Sequence, residues 1–481
     1  MFKPYKALLF LLTVGVLCAS LAWVFPEQGI LLGEFHLRFA TLAKVFVLSD
    51  SSKTKAISVE KLLAIYDAED SLRTKEGFDK TKQQKDAASA LLTSLNIQYT
   101  KGEKHPLHNF FAGLEGLQSQ GTSLRILHYG DSQIEGDRIT SFLRNTLQCR
   151  FGGSGPGMLP AIEVVPSIAI QQSASDNWKR YALFGGAANN LPHSNFGALA
   201  CIARFEVSEE NKTAWLKFIP SKAGFASVRK YTKAVLHLGN VAAECKIEFA
   251  VNGETVSDET IEAGIKYNKI TKYFTVTPSE LIIKFTSDTS PDIYGVSLES
   301  NDGIIVDNIA MRGGSGTVFR KMEKNHLDAA FSNQNLGLII LQYGGNTVPY
   351  ITDSAHAAQY GKFIASQIRY LRSIQPLASF LVIGPSDMST SIDGEMQTFP
   401  NLEFVRDALK QTALKNGCAF WDMYEVMGGK NSMLNWVAAE PPLAAPDYIH
   451  FSPAGAKTVA ELFTKHLLSE FNDWKKTVAT P

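Results

Sequence analysis

Leu127-His-Tyr-Gly-Asp-Ser-Gln133 ends an apolar run that begins at Leu124. The run reads as a short buried strand, and Gly130-Asp-Ser132 as the tight turn that closes it. A serine there is held above the edge of a sheet, with a helix expected beyond it over 137–150. Far downstream the chain reads Asp447-Tyr-Ile-His450. A base and the carboxylate that orients it, three positions apart, can reach one site from a single loop. Gly-Asp-Ser tripeptides are mostly ordinary turns, and Asp447 to His450 also suits a capping segment ahead of a helix at Ser452-Pro453. The serine turn and the distant pair together point to an activated serine.

Outward from the turn the pattern is strand and helix in alternation. Ile304 to Met311, Leu336 to Tyr343, Ser379 to Ile383 and Cys418 to Met423 read as further strands. Helical stretches at 355–374, 404–415 and 453–468 separate or follow them. Apolar strands with intervening helices indicate a parallel sheet covered on both faces. Between the first and second strands the character changes. Phe151-Gly-Gly-Ser-Gly-Pro-Gly-Met158 is a glycine-rich loop, followed by short alternating runs such as Ala214-Trp-Leu-Lys-Phe-Ile219 and Lys246-Ile-Glu-Phe-Ala-Val251. Asn252-Gly253 is a hairpin signal. Strands at this spacing without helices predict a β-sandwich or barrel inserted into the α/β domain.

In an open parallel sheet the site lies at the carboxyl ends of the strands. Ser132, Gly313, Asn346 and Asp387 all follow predicted strands there. Ser132 is the expected nucleophile, His450 its base and Asp447 the orienting carboxylate. The Ser132 backbone N–H, a glycine N–H at Gly313 and the Asn346 side-chain amide are the expected oxyanion donors. Ser386 and Asp387 either contact substrate or cap a loop. His128, inside the first strand, is expected to be packed or hydrogen-bonded rather than catalytic.

The chain has 481 residues, which suits two or three domains, with 45% hydrophobic and 20% charged residues. Lysine plus arginine equals aspartate plus glutamate at 47 each. That balance argues against nucleic acid as a partner. Lys3 and Lys6 precede an uncharged apolar stretch from Ala7 to Phe25, with Ser20-Leu21-Ala22 resembling a cleavage site. It reads as either a signal peptide or a single membrane anchor, and either places the rest of the chain outside the cytoplasm. Residues 26–110 are expected to form a helical lead-in, with helical spacing from Ile57 to Leu95. The five cysteines show no CxxC pair, and neither a metal nor a cofactor is expected. A Cys201–Cys245 bridge is one option in an oxidising compartment.

Gly130-Asp-Ser132, the glycine after the second strand, Gly345-Asn346 and Asp447-Tyr-Ile-His450 resemble the four blocks of the SGNH (GDSL-type) hydrolases. The resemblance covers 123–152 and 303–470. It implies a flavodoxin-like three-layer α/β/α domain with a Ser-His-Asp site. The serine block interrupted by a β-sandwich is similar to bacterial peptidoglycan O-acetylesterases, whose inserted domain is like a carbohydrate-binding module. The expected division is 1–25 signal or anchor, 26–110 lead-in, 111–152 first hydrolase part, 153–300 insertion and 301–475 second hydrolase part.

The expected activity is removal of O-acetyl groups from a polysaccharide, peptidoglycan foremost. The alternatives are a polysaccharide O-acetyltransferase with the same three residues and a noncatalytic glycan-binding protein. Gln133 departs from the leucine or histidine of many relatives. Gly316 is the alternative to Gly313. Trp178, Tyr181, Trp215, Tyr231, Tyr267 and Tyr273 are expected either to stack on sugars or to fill the sandwich core.

Overall fold

The structure is a computed structural model that describes residues 95–102, 104–185 and 191–479, with shorter pieces (9–10, 12–17, 20, 23, 30–32 and 35–37) nearer the start. Met1–Lys55 and Ala56–Pro481 are separate compact units. In the first, Ile30–Leu32 pairs antiparallel with Phe35–Leu37, where the sequence predicts a helical lead-in. The helical spacing of 57–94 and much of the apolar stretch 7–25 lie outside the described residues. Among the described residues no helix is long and apolar enough to cross a membrane.

The second unit opens with α1 (His108–Gln120), β1 (Ser123–Gly130) and α2 (Thr140–Phe151). A run of strands follows: β2 (Gly157–Leu159), β3 (Ile170–Ala174), β4 (Trp178–Ala182), β5 (Cys201–Phe205), β6 (Thr213–Pro220) and β7 (Lys233–Gly239). It continues through β8 (Cys245–Val251), β9 (Glu254–Ile261), β10 (Tyr267–Tyr273), β11 (Leu281–Ser287) and β12 (Asp292–Glu299). Alternation then resumes with β13 (Gly303–Ala310), α3 (Lys324–Phe331), β14 (Leu336–Gln342), α4 (Ser354–Ile374) and β15 (Ser379–Ile383). A small hairpin, β16 (Ser389–Ile392) and β17 (Glu395–Thr398), leads to α5 (Leu402–Lys415) and β18 (Ala419–Trp421). The chain closes with α6 (Met423–Met427), α7 (Ser432–Ala438) and α8 (Pro453–Ala479).

The central sheet runs β13-β1-β14-β15-β18, and every pairing is parallel. Counting only its own strands, the order is 2-1-3-4-5, that of the flavodoxin-like fold. Both faces are covered, and the period-2 alternation shows it. Ile126, Leu338 and Ile340 pack with Phe110 of α1, Leu143 of α2 and Phe463 of α8. Their neighbours Leu127, Ile339 and Leu341 pack with Ile368 of α4 and Leu409 of α5. Residues that the sequence assigns to the lead-in join this body: Leu95, Ile97 and Leu107 are core, and Gln98 exchanges both backbone hydrogen bonds with Phe420, at 2.7 and 2.8 Å.

Between β1 and β13 lies the sandwich. One sheet runs β9-β8-β11-β6-β3 and the other β10-β7-β12-β5-β4, with β2 added beside β12, all antiparallel. Asn252-Gly253 makes the two-residue turn between β8 and β9, with φ of 52° and 90°, the left-handed pair a type I′ hairpin needs. The glycine-rich loop is explained by close approach. A Cβ on Gly155 would stand 2.2 Å from the Leu298 carbonyl oxygen, and one on Gly153 would meet the Ile304 nitrogen at 2.5 Å. Cys201 and Cys245 are free thiols. They begin strands in opposite sheets and pack in different clusters, so the bridge is not formed.

A buried ionic cluster ties the sandwich to the central sheet. Arg125 of β1 donates to Asp307 of β13 at 2.8 and 2.7 Å and also to Glu299 of β12. Lys233 of β7 reaches Glu299 at 2.8 Å, and the Met158 N–H donates to Asp307 at 2.8 Å. Burial opposes ionisation of Glu299, but Arg125 and Lys233 overcome it and hold its carboxyl down to about 2. Glu299 therefore stabilises the fold above the ordinary glutamate range, and that contribution is lost as pH falls toward 2. Arg125→Ala takes the guanidinium from buried Asp307 and leaves Glu299 with Lys233, and is expected to cost about 3–5 kcal/mol in chemical denaturation.

Candidate active site

In this topology the crevice opens where the strand order reverses, between β1 and β14. Ser132 follows β1 and Gly345 and Asn346 follow β14. Pro385 and Ser386 follow β15, and His450 arrives on the loop before α8. These residues line one cleft of about 210 Å³, with Gln133, Pro349, Tyr350, Met388, Met423 and Ile449.

Ser132 starts a short 3-10 segment, Ser132–Asp137, capped by the Asp131 carboxylate, which accepts from the Gln133 N–H at 3.0 Å. The turn is tight because Gly130 has no room for a side chain: a Cβ there would meet Ile134 at 2.9 Å. The helix predicted from 137 begins later, at Thr140. Gly136 and Asp137, with φ of 64° and 65°, break the path between the two.

Ser132 Oγ lies 2.9 Å from His450 Nε2, and His450 Nδ1 lies 2.7 Å from Asp447 Oδ2. With Nδ1 donating to the carboxylate, Nε2 presents its lone pair to the serine hydroxyl. The loop is shaped around Asp447. Its Oδ1 accepts the N–H groups of Ile449 and His450, each at 3.0 Å, an Asx-type turn. The turn holds Tyr448 at a φ of 57°, a conformation uncommon for such a side chain. Burial pushes the Asp447 carboxyl up, but the His450 backbone N–H and imidazole prevail and hold it below the usual aspartate value. Helix capping falls to Ser452 instead, whose Oγ accepts from the Gly455 N–H at 3.2 Å.

Asn346 donates to the Gly314 carbonyl at 3.1 Å, which fixes the amide at the cleft and leaves its second hydrogen for another acceptor. Neither Gly313 nor Gly316 lines the cleft. A Cβ on Gly313 would point toward Gly185, 3.8 Å away, and one on Gly316 would strike the Tyr343 ring at 2.6 Å. Asp387 is buried and caps a loop: it accepts from Thr398 Oγ1 and the Met433 N–H, each at 2.8 Å. Burial pushes its carboxyl up to about 6. His128 is buried between Gln342 at 3.0 Å and Thr140 at 2.9 Å, and burial lowers it to about 4.

Two neighbours of the serine do more than the sequence indicates. Gln133 Nε2 donates to the Ile449 carbonyl at 2.7 Å, and Gln133 Oε1 accepts from the Phe451 N–H at 3.4 Å. One side chain thus grips the backbone on either side of His450. Asp131 is buried, which pushes its carboxyl up to about 6 against the opposing Gln133 N–H and nearby His450. A second concavity lies behind the serine turn, lined by Glu135, Asp137, Arg144, Glu163, Arg180 and Phe184 among others, but by none of the Ser-His-Asp side chains. Among the described residues no group of three or more His, Cys, Asp or Glu is placed to hold a metal.

Of the six sandwich aromatics, Tyr231 is buried, Tyr267 stacks on Tyr294 at 5.0 Å, and Trp178 meets Phe205 and Phe285 edge-on. Tyr231 is core, and Trp178 and Tyr267 are half-buried and pack against the core. Trp215 and Tyr273 reach solvent, and Tyr181 is half-buried against the sheet-facing cluster.

No protein-family model and no curated protein sequence matches the chain. A solved structure of a peptidoglycan O-acetylesterase in action superposes with a TM-score of 0.60 at 23% identity, over 76% of this chain and 96% of that one. A family two carbohydrate esterase from Clostridium thermocellum with cellohexaose gives 0.24 at 10% identity, over 61% and 99%. A salicylyl-acyltransferase from a tetracycline biosynthetic pathway gives 0.27 at 10%, over 62% and 97%. The first likeness establishes a shared fold, in which the parallel α/β body and its additional β domain occur together. The other two superpose too loosely to add to it.

Proposed function

We propose that this protein is a serine esterase that removes O-acetyl groups from a polysaccharide, with peptidoglycan the first substrate to test. The observation that carries the reading is the unbroken relay from Ser132 Oγ through His450 to Asp447. Ser132 Oγ attacks the acetyl carbonyl while its proton passes to His450 Nε2. The Ser132 backbone N–H and the Asn346 amide face the oxyanion. Collapse breaks the bond between the acyl carbon and the sugar oxygen, and the imidazolium gives its proton to that oxygen. Water, deprotonated by His450, then attacks acetyl-Ser132 and releases acetate. The fold shared with a peptidoglycan O-acetylesterase turns the reading toward an acetylated cell-wall glycan. Lys3, Lys6 and the apolar stretch 7–25 argue for a reaction outside the cytoplasm.

The full chain is expected to release acetate from O-acetylated peptidoglycan faster than from acetylated xylan. Acetyl transfer to added oligosaccharide in place of acetate release would convert the assignment to a transferase. Gln133→Leu is expected to lower kcat about 10- to 100-fold with little change in KM, because the imidazole loses its backbone grip and small misplacements are costly. Steady-state acetate release measures both constants, and an unchanged kcat would show that the loop holds itself.

A further inference from the structure

The chain places an aromatic ring in water at the mouth of the catalytic cleft. Tyr350 is 75% exposed and lines the same cleft as Ser132 and His450. It ends a 3-10 turn, Val348–Tyr350, directly after the Gly345-Asn346 loop. The turn is rigid. The Tyr350 N–H donates to the Thr347 carbonyl at 3.0 Å, and the Val348 N–H donates to Gly344 at 3.2 Å. Pro349 presets the backbone between them. Val348 and Ile351 on either side are buried anchors, so folding secures the turn without using the tyrosine ring. Tyr273 of the sandwich is similarly exposed but lines neither concavity.

An exposed aromatic on a fixed turn beside a nucleophile is suited to a ligand with a flat, weakly polar face. The ring face is electron-rich and accepts C–H groups. A pyranose offers that: axial C–H bonds on one face and hydroxyls around the rim. Apolar Pro385, Met388, Met423 and Ile449 line the same cleft and suit a small acyl group. The charged side chains there are few, Asp131 being buried and His450 engaged.

We infer that Tyr350 is the platform on which the acetylated sugar ring stacks while its acetyl group meets Ser132, making Tyr350 the residue that selects a glycan ester over a simple ester. This rests on the esterase reading above. The test compares two acetyl esters, a per-O-acetylated hexoside and glyceryl triacetate, which carries the same acyl group on an acyclic alcohol. For the full chain carrying Tyr350→Ala, kcat/KM on the hexoside is expected to fall about five- to tenfold, through KM, as loss of one stacked ring predicts. On glyceryl triacetate the loss is expected to be smaller than about twofold, the floor of that range. Tyr350→Phe keeps the ring and is expected to stay close to the parent on both. Equal losses on the two esters, or unaltered hexoside kinetics, would overturn the platform. A parent protein that releases acetate from neither ester would overturn the esterase reading itself, and the platform with it.

Discussion

Ser132→Ala is expected to abolish acetate release, lowering kcat by on the order of 10⁴- to 10⁶-fold. The loss is that large because the cleft offers no second nucleophile in the same relay: His450 Nε2 faces Ser132 Oγ at 2.9 Å, and its other nitrogen is committed to Asp447. What survives is the contribution of binding and oxyanion contacts alone. Stability is expected to change little. The hydroxyl lies in a partly buried cleft rather than in the core, and one such hydrogen bond contributes about 1 kcal/mol net. Fluorophosphonate labelling of the parent and its absence in the variant would locate the reactive group independently of substrate. Acetate release that persists in the variant would remove Ser132 from the mechanism, and a parent that binds glycan without turnover would favour the noncatalytic alternative.

The parts of this site visible in the sequence are those whose chemistry coincides with a local backbone pattern. Leu124 to Tyr129 is apolar on both alternating faces because helices cover both, so the strand and its turn are legible without a partner. Asp447 and His450 are legible because an Asx turn takes an aspartate or asparagine where the carboxylate is also used. Asn252-Gly253 announces its hairpin by conformational need alone. Gln133 is different. A glutamine amide is compatible with nearly any polar environment, and its partners, Ile449 and Phe451, are backbone groups that sequence does not mark. Arg125 interrupts an apolar strand with a charge, a visible anomaly, but Glu299 and Asp307 identify themselves only once the sandwich docks.

Gly313 is less legible for a related reason. Strand length alone locates a loop to within a residue or two, and one residue on, the Gly314 carbonyl holds the Asn346 amide. The sandwich aromatics are open to two readings in the sequence because a tyrosine ring suits a core and a sugar face equally. Tyr267, stacked on Tyr294 and hydrogen-bonded to His237 at 2.8 Å, packs against the core. Tyr350 lies in the α/β body, between two apolar residues, and only its exposure distinguishes it from a core aromatic.

Asp447→Asn is expected to lower kcat by roughly 10²- to 10⁴-fold while leaving the fold intact. The carboxylate keeps Nδ1–H of His450 pointed at it, so Nε2 stays free to take the Ser132 proton. An asparagine can turn its amide N–H to Nδ1 instead, and the proton then sits on Nε2, facing the nucleophile it should deprotonate. The upper figure belongs to a triad closed to water. Asp447 is 47% exposed, so solvent supplies part of the missing charge, and the lower part of the range is equally consistent with the relay. Because the carboxyl lies below the usual aspartate value, its contacts stabilise the loop above that value, and the contribution is lost as pH falls from there through the lowered one. The acid-side loss of loop stability should therefore be smaller in the asparagine variant. Residues of one relay are not additive, so Ser132→Ala with Asp447→Asn is expected to be no slower than Ser132→Ala alone. Acetate release from the single and double variants, measured across pH, checks both points. A single Asp447→Asn variant with the parent kcat would mean that His450 acts as a base without its carboxylate, and the relay would shrink to two residues.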